Sequence, residues 1–161
     1  METIKLGNTD MRIPKLGMGT WAIGGGPAWG DRDEQECVTT IQKAVKSGLN
    51  LLDTAPAYNF GNSEKIVGKA LEGLERKDVC LITKCGIVWT REGSLFNKVG
   101  DVQLYKNLSA ESIRMEIEDS LKRLRTDYLD IYMTHWQSVE PCFTPIAETM
   151  DVLNDLKVKV K

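Results

Sequence analysis

The sequence predicts an α/β fold: a short N-terminal β-hairpin, then four strand–helix units whose strands lie parallel in one sheet. Three observations predict it. Short apolar runs that end in polar or aromatic residues recur at 15–21, 50–53, 79–84 and 128–136. Each is followed, directly or after a loop, by apolar residues at helical spacing. The run at 79–84 is apolar nearly throughout, which suits a parallel strand covered on both sides. Right-handed crossovers then bring the C-terminal ends of the strands to one rim. An open Rossmann-like sheet and a β/α barrel both begin in this way.

Taken in order, Ile4-Lys5-Leu6 and Met11-Arg12-Ile13 flank a polar Gly7-Asn8-Thr9-Asp10 turn, a small hairpin. Residues 15–21 form a strand whose glycines admit close backbone approach. Residues 22–30, rich in Gly and Pro, read as loop. Asp31 or Asp33 caps the next helix, with Asp31 and Glu34 resembling a capping box. Its face is Cys37, Val38, Ile41, Ala44 and Val45, and Gly48 ends it. After the strand at 50–53, Pro56 forbids extension, and Ser63 is expected to cap a helix from Glu64 to about Leu74. The stretch 86–107 reads as a long irregular loop, a length usually tied to function or disorder. Ser109 caps the third helix, with Leu108 stapled to Ile113 and a stripe of Ile117, Leu121 and Leu124. Thr144-Pro145 opens the fourth, whose face is Ile146, Met150, Leu153 and Leu156. The tail from Lys157 to Lys161 alternates, as in a short edge strand or a frayed end.

Composition bounds the function. The 161 residues are expected to form one domain, 42% hydrophobic and 27% charged, with net charge −2. That balance gives no reason to expect nucleic acid or a membrane as partner, and no apolar run nears the ~20 residues of a span. The start, Met1-Glu2-Thr3-Ile4-Lys5, lacks signal-peptide character, so the cytoplasm is the expected compartment. Cys37, Cys80, Cys85 and Cys142 have no zinc or redox spacing and are expected to be buried free thiols; no metal site is foreseen.

Counting each strand in twos places Leu51 with Asp53, Ile82 with Lys84, and Ile131 and Met133 with His135. Three strands thus each end in an ionisable group above apolar residues, and Tyr58 arrives from the loop. Singly, each has a bland alternative: a cap, a packed ring, a snorkelling lysine, a satisfied core histidine. All four would have to be bland at one rim together. A phenol is a poor acid at neutral pH. A nearby ammonium stabilises its phenolate, and a carboxylate holds the ammonium. Such a tyrosine can protonate a carbonyl oxygen that gains charge, with imidazole orienting it or relaying the proton. The set contains no hydride source, so a nicotinamide cofactor is wanted.

Here the chain resembles the aldo-keto reductases. The resemblance is carried by Leu16-Gly17-Met18-Gly19-Thr20-Trp21, Leu52-Asp53-Thr54-Ala55-Pro56-Ala57-Tyr58, Gly61-Asn62-Ser63-Glu64, Ile82-Thr83-Lys84 and Asp130-Ile131-Tyr132-Met133-Thr134-His135-Trp136. It implies NADPH-dependent reduction of an aldehyde or ketone, with Tyr58 the general acid, Lys84 and Asp53 tuning it, and His135 positioning the carbonyl. By the same likeness Gly19, Thr20, Trp21 and Asp53 line the nicotinamide-ribose end of the cofactor. Trp29, Tyr58, His135 and Trp136, with the long loop after Lys84, fall on the substrate side.

The family fold is a complete (β/α)₈ barrel of ~250 residues. The expectation is therefore a (β/α)₄ N-terminal half of a TIM-type barrel, with the C-terminal half absent. Cofactor binding should be weak in this chain alone, and open edges should favour self-association. A Rossmann dehydrogenase is the rival: residues 17–22 match G-x-G-x-x-A, but Ile23-Gly24-Gly25-Gly26-Pro27 cannot open the required helix. A non-catalytic binding subunit on the same scaffold is the other rival. Turnover of a generic aldehyde separates it from an enzyme.

Overall fold

A computed structural model describes residues 2–159. Strands β1 (Thr3–Lys5) and β2 (Arg12–Pro14) form the antiparallel N-terminal hairpin, pairing Ile4 with Ile13. Then come β3 (Met18–Gly19), α1 (Glu34–Lys46), β4 (Leu51–Asp53), α2 (Asn62–Leu71) and β5 (Cys80–Cys85). After β6 (Ile87–Val88), β7 (Ser94–Val99) and β8 (Val102–Lys106) follow α3 (Ala110–Leu124), β9 (Ile131–Thr134) and α4 (Ile146–Lys159). The main sheet is parallel, in the order β3-β4-β5-β9. Each of its strands is followed by a helix, which is half of a (β/α)₈ barrel.

One face of that sheet is sealed. Leu52 and Leu81 are fully buried against Ile41 of α1 and Val67 of α2, and Cys85 packs with Leu108 and Ile113 at α3. The other face carries Leu51, Ile82, Ile131 and Met133. Met133 is 43% exposed, so this side of the sheet is open. Asp33 caps α1 by accepting from the Glu36 amide, and Ser109 caps α3 by accepting from Ser112.

Several expectations are corrected. The stretch 86–107 is not irregular: β6, β8 and β7 make a third sheet, antiparallel, with Val99 paired to Val102 across Gly100-Asp101. The segment 22–30 contains one 3₁₀ turn at Ala22–Gly24, and the strand expected over 15–21 shrinks to Met18–Gly19. Ser63 does not cap α2. Gly61, left-handed at φ 82°, takes that position, and Ser63 lies in the first turn, fully buried. The helix stops at Leu71 rather than Leu74.

The ladder of β9 begins only at Ile131, because the Asp130 carboxylate accepts the Leu81 amide that a strand carbonyl would otherwise take. Helix α4 starts one residue after Pro145 and runs through Lys159, so the alternating tail is helical as far as it is described. Val160 and Lys161 lie outside the described residues. Val152 and Leu156 bury the face of α4, whereas Ile146 and Met150 are exposed. Among the cysteines, all free thiols, only Cys37 and Cys85 are buried; Cys142 is exposed.

Candidate active site

The register fixes the rim. Gly19 pairs with Asp53, Asp53 with Ile82, and Lys84 with Met133, so residues at or next to the ends of β3, β4 and β5 rise in steps toward His135. His135 follows β9 directly and donates its backbone N–H to Cys85 O at 2.8 Å, which extends the ladder by one bond.

Lys84 is the hub. Its Nζ donates to Asp53 Oδ1 at 2.5 Å, to Thr54 O at 2.9 Å and to Tyr58 Oη at 3.1 Å. The side chain is 11% exposed, against 37% for the Asp53 carboxylate. A nearly buried ammonium is tolerable only with such partners. The Tyr58 ring meets His135 edge-on, centroids 5.7 Å apart, and lies near-parallel to Trp21 at 6.0 Å. Trp29 in turn meets Trp21 edge-on at 5.5 Å. Burial, and then the Lys84 charge, push the His135 imidazole down to about 4, with Asp53 opposing weakly. The ring is therefore neutral at pH 7.

The loop that carries Tyr58 is held tightly. Asn59 and Phe60 both have positive φ, 51° and 53°, uncommon for side-chain-bearing residues and costly without compensation. Asn59 and Asn62 offset this by donating to the same acceptor, Gly24 O, at 2.8 and 2.9 Å. Thr20 does not face the cleft. It is fully buried, and both its amide and its hydroxyl donate to Asp53 O at 2.9 Å. Ser63 Oγ lies 2.7 Å from Thr20 Oγ1 and 3.0 Å from Thr54 Oγ1, tying α2 to the ends of β3 and β4.

A cavity of about 490 Å³ opens beside Tyr58 and His135, walled by Trp21, Phe96, Leu104 and Trp136. Phe96 and Trp136 stack obliquely at 5.8 Å, with Lys106 Nζ over both rings. The wall residues Phe96 and Leu104 lie in the stretch after Lys84 that family likeness puts on the substrate side, but the sequence does not single them out because their sheet is hard to read there. The signal was present: a Gly-Asp pair separating two β-prone runs is a two-residue hairpin turn. A larger hollow of about 760 Å³ lies between the C-terminal ends of α2 and α3. It is lined by Leu71, Arg76 and Arg125 and contains none of the rim residues. Among the described residues no His, Cys, Asp and Glu gather as metal ligands, and no helix is long and apolar enough to cross a membrane.

A half-barrel with an Asp–Tyr–Lys–His rim defines a class, and comparison with known proteins agrees. Residues 15–161 match the model of the Aldo/keto reductase family, and the chain belongs to that family. It is 66% identical over 162 residues to an "NADH-specific methylglyoxal reductase" of Escherichia coli (strain K12), covering 100% of this chain and 50% of that protein. Among solved structures it resembles a glycerol dehydrogenase of Gluconobacter oxydans: TM-score 0.81, 36% identity, 98% of this chain and 45% of that one. An aldo/keto reductase of Klebsiella pneumoniae in complex with NADP and acetate gives TM-score 0.69 and 30% identity, over 93% and 44% of the two chains. The chain thus spans about half the length of the curated relatives it matches.

The family implies a nicotinamide cofactor, and the rim suits the nicotinamide end of one. Trp21 offers a flat, half-exposed indole, and Asp53 keeps part of its carboxylate in solvent. A side chain added at Gly19 would meet nothing within 4 Å, so the space over β3 is free.

Proposed function

We propose that this chain supplies the proton-donating half of a nicotinamide-dependent carbonyl reductase. The observation that carries the reading is the single ammonium of Lys84, within hydrogen-bond distance of both Asp53 and Tyr58 Oη. A reduced nicotinamide, when bound, supplies hydride to the carbonyl carbon. Tyr58 gives its proton to the carbonyl oxygen as charge develops there. Lys84 stabilises the phenolate left behind, and Asp53 fixes Lys84. Neutral His135 orients the carbonyl without competing as an acid. Trp21, Gly19 and Asp53 would hold the nicotinamide-ribose end, with Thr20 bracing Asp53 from below. Trp29 and Trp136 flank the substrate.

The family resemblance implies NADPH, whereas the name of the 66%-identical relative favours NADH and a 2-oxoaldehyde substrate such as methylglyoxal. Four free thiols suit a reducing, cytoplasmic compartment. The free edges of β3 and β9 and the open sheet face favour association between copies.

The experiment is a nicotinamide-oxidation assay on this chain and on a chimera joining it to the remaining half of the Escherichia coli relative. The chimera should reduce methylglyoxal with NADH faster than with NADPH, and the chain alone should be slow. A chimera that folds yet oxidises neither cofactor with any of a broad panel of carbonyls refutes the proposal.

A further inference from the structure

Behind the sheet, on the side away from the cleft, two buried carboxylates grip β5 on either side of Lys84. Glu64, in the first turn of α2, is fully buried. Its Oε1 accepts from Thr83 Oγ1 at 2.6 Å, and its Oε2 accepts from Arg123 Nε at 2.6 Å. Glu116, on α3, is 4% exposed. Its Oε2 accepts the Gly86 amide at 2.9 Å, and its Oε1 accepts from Ser112 Oγ at 3.0 Å. The bonded positions, 83 and 86, bracket Lys84. Buried carboxylates are expensive, and hydrophobic residues of similar volume often stabilise as well or better. Their presence behind this strand calls for a role other than stability.

Gly86 is where a hold matters. Here the chain leaves β5 and turns into β6, the start of the cavity wall. Its φ is +95°, and a Cβ would lie 2.5 Å from Leu108. Glycine is required, and glycine is also the residue least able to hold its own conformation. With its carbonyl accepting from the Asn107 amide at 3.2 Å, the Glu116 bond uses the second of its two backbone groups.

We infer that Glu116 is a positioning residue for Lys84: by holding the Gly86 amide it sets the end of β5, and hence the placement of the ammonium against Asp53 and Tyr58. Glu64 does the same through Thr83 from the other side. This rests on the proposed role of Lys84 and extends it to a layer that touches neither substrate nor cofactor.

The chain holds a single histidine, which makes the test independent of turnover. His135 feels the Lys84 ammonium, opposed by Asp53, and packs on the Tyr58 ring. The His135 ring carbon is followed by NMR across pH in wild type, Glu116→Ala and Glu116→Gln. In Glu116→Ala the released strand end lets the ammonium retreat, and the midpoint should rise by about half a unit or more. The Glu116 carboxyl, pushed up to about 7, is already protonated where His135 titrates, so its removal with no displacement would leave that midpoint in place, and a rise reports displacement. Glutamine keeps an acceptor for Gly86, and Glu116→Gln should titrate like wild type. Thr83→Val, which cuts the Glu64 bond and keeps the side-chain size, should move the midpoint in the same direction as Glu116→Ala. An unmoved or lowered midpoint in folded Glu116→Ala together with an unmoved one in Thr83→Val overturns the inference. Loss of turnover with no change in titration would do so too. An inactive chimera whose titrations behave as stated overturns the proposed function and leaves the positioning role standing.

Discussion

Buried Glu116 and half-buried His135 give this protein opposite responses to pH, and the prediction is that each hides the other. Burial pushes the Glu116 carboxyl up to about 7 from an ordinary 4.5, against the Gly86 and Ser112 bonds and the Arg91 and Arg123 charges. His135 goes the other way, from 6.5 down to about 4. Between pH 4.5 and 6.5 the folded protein holds the Glu116 proton that the unfolded chain releases, so Glu116 alone makes stability fall as pH rises. Over the same interval the unfolded chain protonates His135 and the folded one does not, so His135 alone makes stability rise with pH. One proton of difference corresponds to about 1.4 kcal/mol per pH unit. The two slopes nearly cancel in wild type.

Single substitutions unmask them. Glu116→Gln should lose about 2 kcal/mol, relative to wild type, as pH falls from 6.5 to 4.5. His135→Gln should lose a similar amount over the same interval as pH rises. Residual solvent contact at His135 screens part of its effect, so the second change should be the smaller. Denaturant unfolding at pH 4.5, 5.5 and 6.5 measures this, and variant-minus-wild-type differences remove the background from other groups. Slopes of the same sign in the two variants would refute the reasoning. So would a His135 midpoint at its ordinary value by NMR.

Tyr58→Phe in the chimera should leave the fold and cofactor affinity intact and slow the chemical step by roughly 10²–10⁴, seen in single-turnover kinetics. Lys84→Met should shift the pH profile of that step and raise the His135 midpoint; an unchanged profile would remove Lys84 from the mechanism. Ser63→Ala should destabilise by about 1–3 kcal/mol in urea, because it leaves buried Thr20 and Thr54 hydroxyls short of a partner. Sedimentation at micromolar concentration should show species larger than one chain; a single monomer boundary would count against association through β3 and β9.

The parts of the rim that could be read from the sequence follow from the strand period. Asp53, Lys84 and His135 end apolar runs, and a period of two leaves no freedom in which side they face. The four strand–helix units were legible for the same reason, since buried parallel strands and amphipathic helices leave strong patterns. What the sequence hid depends on partners distant in the chain. Ser63 has the chemistry of a cap, yet its hydroxyl reaches Thr20, 43 residues away, and Gly61 is left to start the helix. Thr20 looks like a rim residue until Asp53 O takes its proton. The sheet of β6, β7 and β8 is hidden because the length of 86–107 argues for loop more strongly than its Gly-Asp turn argues for a hairpin. Glu64 and Glu116 sit among the polar residues of their helices, and only the packed structure shows them turned inward.

The three bonds of Lys84 carry one more consequence. An ammonium has three protons, and Asp53, Thr54 and Tyr58 take one each. Lysine is therefore the donor at the phenol oxygen, and one of the two lone-pair directions there is spent accepting. The hydrogen of Tyr58 must then point away from the Lys84 ammonium. The wiring of the lysine gives the proton of the tyrosine a direction before any other molecule arrives.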